Sequence, residues 1–157
     1  MTAVAIRRAV PADAAAIAAL IVRAFEPYVG TLDPPPSAVR ETAATIAERF
    51  GDHVAFVAVA GTAIVGCVFL QRTDDDVYLS RVAVDAAFRG QGVAHGLLGA
   101  AEVQARAAGA GALTLGVRLA LPGNRRLFES CGFRPVEQRS HPGYAAPTYL
   151  HMAKPLT

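Results

Sequence analysis

The sequence predicts an α+β fold, three layers deep, with a mixed and mainly antiparallel sheet of about seven strands and about four helices. Three observations predict it. Two apolar runs, "HVAFVAVA" and "TAIVGCVFLQR", flank Gly61 as a hairpin, and "TDDD" turns the chain into a third strand, Val77 to Val84. The rhythm then changes: small or apolar residues recur at Val93, Leu97, Ala101, Ala105 and Ala108, which makes one face of a helix. "ALTLGVRL" follows as an apolar strand, so strand, helix and strand form a crossover whose two strands run parallel.

The other elements fit around these. Val4 to Arg8 reads as a short first strand. Pro11 favours a helix start, Asp13 suits the first turn, and the helix runs to about Phe25. "EPYVGTLDPPPS" is a connector, because three successive prolines cannot continue a helix. Ser37 is placed to cap a second helix that ends near Phe50, with Gly51 as its stop. Gly109 and Gly111 end the crossover helix. A short helix, about Asn124 to Cys131, ends at Gly132. Two strands, near Phe133 to Ser140 and Thr148 to Lys154, close the chain around "HPGYAAP".

The 157 residues suit a single domain spanning 1–157, and a hydrophobic content of 53% argues against disorder. Net charge is only +2, and Lys154 is the single lysine. The arginines are scattered rather than striped, which argues against nucleic-acid binding. "AAAIAALIV", Ala14 to Val22, after Arg7-Arg8 imitates a signal peptide. Asp13, Arg23 and Glu26 crowd that run, so an amphipathic helix is the better reading, and no membrane span is expected. Cys67 and Cys131 suit a reducing, cytoplasmic setting.

The stretch "RGQGVAHG", Arg89 to Gly96, stands between a strand and the N-terminus of a helix. The first backbone N–H groups of a helix have no internal partner, and the helix dipole adds positive charge there. Gly90 and Gly92 would let a phosphate approach without a Cβ in the way, and Arg89 adds a charged donor. A plain glycine-rich turn is the competing reading. An ATP loop needs Lys then Ser or Thr after its last glycine, but Val93 and Ala94 follow Gly92. A dinucleotide loop opens its fold and has an acid about twenty residues later. This loop comes late and no acid lies in Ala112 to Leu119, although Arg118 leaves an NADP reading open through a 2′-phosphate.

"VAVDAAFRGQGVA" resembles the coenzyme-binding motif of the GNAT acyltransferase superfamily, R/Q-x-x-G-x-G/A after the fourth strand, with Arg89, Gly92 and Ala94 in the motif positions. "PGNRRLFESCGF" resembles the family's next segment, and the order of elements matches from Val4 to Leu156. The resemblance implies that the fourth and fifth strands splay apart around the pantetheine arm of acetyl-CoA. Val82, Ala83 and Val84 would pair with its amides. The loop of Arg89, Gly90, Gln91, Gly92, Val93 and Ala94 would hold its pyrophosphate. Asn124 would contact the arm, a role compatible with capping a helix.

The implied activity is N-acetyltransfer to a primary amine of a small molecule or peptide by direct attack. In many members the general acid is a Tyr four residues before the Gly of Gly-Phe; here that position is Phe128, which has no proton to give. Some members carry a Glu base on the fifth strand; the nearest position here is Gly116. Candidate replacements are Tyr144, for the thiolate, and His141, as a proton relay, both in the last loop, where "HPGY" is otherwise only a turn. Tyr78 and Tyr149 are further candidates. Glu26, Tyr28 and Asp33, in the connector, would suit a cationic amine or lie on the surface. His53 and His95 lack partners at ligand spacing, so no metal is expected. A homodimer is compatible with the resemblance. Phe128 leaves a second expectation standing: an acyl-CoA-binding domain with weak or no catalysis.

Overall fold

Alternating and apolar residues in the first half of the chain build one continuous antiparallel meander. The computed structural model describes residues 3–156. Strand β1 (Val4–Arg8) pairs with β2 (His53–Ala60), β2 with β3 (Ala63–Thr73), and β3 with β4 (Asp76–Val84). Helix α3 (Val93–Ala107) carries the chain across to β5 (Ala112–Arg118), which runs parallel to β4. Helix α4 (Pro122–Ser130), β6 (Arg134–Arg139) and β7 (Tyr149–Pro155) complete the fold. The strand order is β1-β2-β3-β4-β5-β7-β6, with β7 inserted between β5 and β6.

Two cores lie on opposite faces of this sheet. Helices α1 (Ala14–Phe25) and α2 (Ala43–Arg49) pack on one face, burying Ile17, Leu20, Ile21 and Ile46 against Val57 and Phe69. Helix α3 buries Leu97, Leu98 and Ala101 on the other, with Leu79, Leu113 and Met152. The close approach of α3 depends on Gly66 of β3. A Cβ there would come within 3.0 Å of both Leu97 Cδ1 and Val93 Cγ1. No helix among the described residues is long and apolar enough to cross a membrane.

The segment after the prolines departs from the expected helix. Ser37 to Arg40 forms only a 3-10 turn, and Glu41 returns to extended backbone. Helix α2 then starts afresh from Thr42, whose hydroxyl accepts from the Thr45 N–H at 3.2 Å. Ser37 is therefore not its cap. The interruption turns the Glu41 carboxylate inward, where Arg49 Nη2 and Arg81 Nε approach at 2.8 Å and Thr45 Oγ1 donates at 2.7 Å. Burial pushes the Glu41 pKa up, but the Thr45 hydrogen bond and the two guanidiniums outweigh it and hold the carboxyl below its ordinary 4.5.

That balance sets a pH dependence. A depressed carboxylate stabilises fully above its unfolded pKa, and the contribution fades as pH falls through the lower folded value. Stability from Glu41 is thus expected to be complete at neutral pH and lost below about 4.5. Glu41→Gln is expected to cost about 2–3 kcal/mol at pH 7, because it leaves two partly buried guanidiniums without their counter-charge. Urea unfolding at pH 7 and pH 3 checks both: the gap between wild type and variant must narrow at pH 3.

Candidate active site

Strands β4 and β5 pair only at Val77–Leu113 and Tyr78–Thr114, whereas β5 pairs with β7 along its whole length. Beyond Tyr78 the two parallel strands have parted. A bulge in β4 accompanies the split. Ala83 sits opposite Cys67 and Ser80 opposite Phe69, so Arg81 and Val82 together face Val68. Arg81 takes φ +53°, a left-handed conformation that is uncommon outside glycine. The extra residue reverses the facing of the strand. Val77 and Leu79 lie in the α3-side core before it, while Ala83 enters the α1-side core after it.

The chain leaves β4 through Asp85, whose Oδ1 accepts from the Ala87 N–H at 3.0 Å, and reaches the glycines. Gly90 and Gly92 take φ +76° and +80°, and a Cβ on either would meet nothing within 4 Å. Gly92 is the N-cap of α3, and no side chain caps that end. The first N–H groups of α3 therefore face open space beside a helix dipole, which is the cradle an anionic group requires. Arg89 Nε donates to the Val84 carbonyl at 3.3 Å, anchoring the guanidinium beside it.

A cavity of about 440 Å³ opens between the splayed β4, the glycine loop and the ends of α1 and α4. Every predicted coenzyme residue lines it except Gln91: Val82, Ala83, Val84, Arg89, Gly90, Gly92, Val93, Ala94 and Asn124. Gln91 instead donates to the Ala87 carbonyl at 3.3 Å. Asn124 is not a cap. Helix α4 begins at Pro122, two residues earlier than expected, because proline's fixed φ suits the first helical position. Asn124 stands in the first turn, lining the cavity.

A second cavity, of about 390 Å³, lies in the split itself, lined by Tyr78 to Val82 of β4 and Leu115 to Arg118 of β5. Phe25, Val82, Asn124 and Phe128 line both cavities, so the two meet at these residues. Phe128 is only 7% exposed and packs edge-on to Phe133 at 5.9 Å. Gly116 also lines the second cavity, and a Cβ there would come within 3.1 Å of the Tyr149 ring and 3.8 Å of the Tyr78 hydroxyl. A side chain at that position would have to displace the Tyr149 ring by a few tenths of an ångström.

His141 lines this second cavity, its ring 5.0 Å from that of Tyr149. Its Nδ1 is hydrogen-bonded to Thr148 Oγ1. Burial and then the Arg118 charge lower its pKa from 6.5. Tyr144 lines neither cavity. Its hydroxyl donates to Asp33 Oδ1, tying the last loop to the proline connector, and that carboxylate raises the phenol's pKa. Tyr78 and Tyr149 line the cavity, and burial raises the Tyr78 pKa, with Tyr149 adding to it.

Other placements revise the sequence reading. Arg118 lines the second cavity and not the one beside the glycine loop, which removes the reason to read it as a 2′-phosphate ligand. Glu26 is exposed and lines neither cavity, Asp33 is taken by Tyr144, and Tyr28 lines the first. The acidic lining that would suit a cationic acceptor is absent among the described residues. Ser80 and Arg81 were missed as site residues. Their signal was a polar pair in the apolar strand "DVYLSRVAV", where a bulge breaks the alternation. Among the described residues no three His, Cys, Asp or Glu side chains cluster as metal ligands would.

Comparisons agree with this geometry. Structures of similar fold include the ribosomal-protein-S18-alanine N-acetyltransferase from Escherichia coli, at 22% identity, TM-score 0.78, and 99% and 95% coverage of the two chains. The PaiA N-acetyltransferase from Thermoplasma acidophilum, solved in complex with coenzyme A, shares 16% identity at TM-score 0.84 over 98% and 99%. A GNAT-family acetyltransferase from Staphylococcus aureus shares 16% at TM-score 0.79 over 99% and 100%. No curated protein matches the chain in sequence. The model of the acetyltransferase (GNAT) family matches residues 16–133, three quarters of the chain, and with the splayed strands and glycine loop in place the protein belongs to that family.

Proposed function

We propose that the protein is an acetyl-CoA-dependent N-acetyltransferase acting on a primary amine of a small molecule or peptide. One observation carries this reading: two cavities meet at Phe25, Val82, Asn124 and Phe128, one floored by an uncapped helix N-terminus and the other lined by His141 and Arg118. The residues fit coenzyme A. The bare N–H groups of α3, with Gly90, Gly92 and Arg89, suit a pyrophosphate, and the unpaired edge of β4 offers amides to an extended pantetheine arm. Bound there, acetyl-CoA supplies the activated acetyl group. Two free cysteines, Cys67 buried and Cys131 half-buried, support a cytoplasmic location.

His141 is the proton acceptor in this proposal. Its lowered pKa keeps the imidazole neutral near pH 7, and in the tautomer whose Nδ1–H donates to Thr148 Oγ1, Nε2 is left to take the acceptor's proton. Nearby Arg118 favours the uncharged form of an amine entering the cavity, by the same repulsion that lowers the His141 pKa. The Asp33 bond supports Tyr144 as a latch on the loop rather than as the donor to the thiolate. A thiolate leaves tolerably without a dedicated acid. Phe128 favours the second reading, an acyl-CoA-binding domain with weak or no catalysis. Free thiol released from acetyl-CoA across a panel of primary amines separates the two. Amine-dependent release is expected; binding of acetyl-CoA without release from any amine overturns the enzymatic reading.

A further inference from the structure

The acceptor cavity holds a cation without a paired carboxylate. Arg118 ends β5 with its guanidinium partly buried in the cavity wall. A guanidinium carries five N–H donors. Only Nη1 has a protein partner, the Pro34 carbonyl at 2.7 Å, and among the described residues Arg118 enters no ion pair. Asp33 is close enough to act on it electrostatically, but that carboxylate accepts the Tyr144 hydroxyl. Burial lowers the Arg118 pKa, the mark of a charge whose lost hydration the protein has not replaced.

The contrast with Arg81 is informative. Arg81 lines the same cavity, but Glu41 meets it at 2.8 Å and Ser37 Oγ accepts from its Nη2 at 3.2 Å. Glu41 also serves Arg49, so two guanidiniums share one carboxylate. No Asp or Glu lines the cavity itself. Its potential is therefore positive, and Arg118 is its free donor fork. Ser80 Oγ, buried with no hydrogen-bond partner among the described residues, belongs to the same cavity. Phe25, Leu32, Leu79, Val117 and Leu121 give the cavity an apolar portion, beside the polar groups of Tyr78, Asn124, His141 and Tyr149.

We propose that the acceptor amine also carries a carboxylate on an apolar body, and that Arg118 binds that carboxylate. The substrate class is the α-amino acid with an apolar side chain, or a close analogue. The inference rests on the acceptor role given to this cavity above. A planar guanidinium pairs with a carboxylate through two parallel N–H···O bonds, which fix orientation as well as affinity. With the carboxylate on Arg118, the amine, one carbon away, must face the junction at Phe128 and Val82, where the two cavities meet. The volume of about 390 Å³ suits a ligand of this size.

Calorimetry on the protein saturated with coenzyme A tests this without turnover. The probes are L-phenylalanine, L-leucine and L-methionine, each against its decarboxylated amine, with the phosphonate analogue of phenylalanine as a third arm. The carboxylated member of at least one pair is expected to bind about ten- to a hundredfold tighter. Arg118→Gln is expected to abolish that preference while coenzyme A binds as before. Arg118 also holds the Pro34 carbonyl, so Arg118→Lys is the companion: it keeps the charge, loses the fork and should retain part of the preference. Equal binding within every pair, no binding by any carboxylated probe, or a preference that survives Arg118→Gln overturns the proposal. A phosphonate that binds tighter than the carboxylate overturns the assignment of the anion. An intact preference without acetyl transfer to any probe contradicts the enzymatic function alone.

Discussion

Gly92→Val is expected to weaken coenzyme A binding roughly a hundredfold, the loss of one or two charge-assisted hydrogen bonds. A valine there would project its branched side chain into space that is now open and that faces the α3 N-terminus. The pyrophosphate could then no longer reach the N–H groups of Val93 and Ala94. The backbone adds a separate effect. Gly92 sits at φ +80°, so a side chain strains the chain by about 1–2 kcal/mol even with no ligand present. Gly109→Val is the control. Gly109 has φ +75° and equally open surroundings, but it lies past the other end of α3. Both variants should lose similar folding stability in urea, and only Gly92→Val should lose coenzyme A affinity by calorimetry. Equal affinity in the two would remove the glycine loop from the binding site.

His141→Ala is expected to lower kcat about a hundredfold, the usual contribution of a positioned base, with coenzyme binding unchanged. The pH profile carries the sign. With its folded pKa below 6.5, His141 is neutral across the neutral range, so kcat/KM should fall only on the acid side of that value. The variant should lose that acid limb. Tyr144→Phe breaks the bond to Asp33 that holds the loop over the connector. It should raise the acceptor KM more than it lowers kcat. A hundredfold fall in kcat at constant KM would instead make Tyr144 the general acid. Phe128→Tyr would then be expected to restore part of the loss.

The split of sequence and structure follows from what each residue type encodes. The coenzyme loop was legible because Gly90 and Gly92 are needed for positive φ and open space, and the arginine, glycine and alanine stand at family spacing. The meander and the crossover were legible from apolar period alone. Residues whose roles depend on distant partners were not. Gly66 looks like any strand glycine until α3 closes on it. Thr42, not Ser37, caps α2 because Glu41 must turn inward to Arg49 and Arg81, which lie 8 and 40 residues away in sequence. The β4 bulge sends Arg81 to Glu41, and nothing local in the sequence announces that pairing. Arg118 left a 2′-phosphate reading open because its strand was known and the cavity it faces was not.

The central claim is that the cavity between the splayed end of β4 and the glycine loop is an acetyl-CoA site, and thermal unfolding with three ligands tests it most directly. Ligand at about a hundred times its dissociation constant stabilises the native state by about 2.7 kcal/mol. For a domain of this size that is a rise of roughly 5–10 °C in Tm. Acetyl-CoA is expected to produce it in the wild-type protein and to lose most of it in Gly92→Val, while NADP and ATP at the same concentration produce little. Equal stabilisation by NADP, or none by acetyl-CoA, would contradict the account.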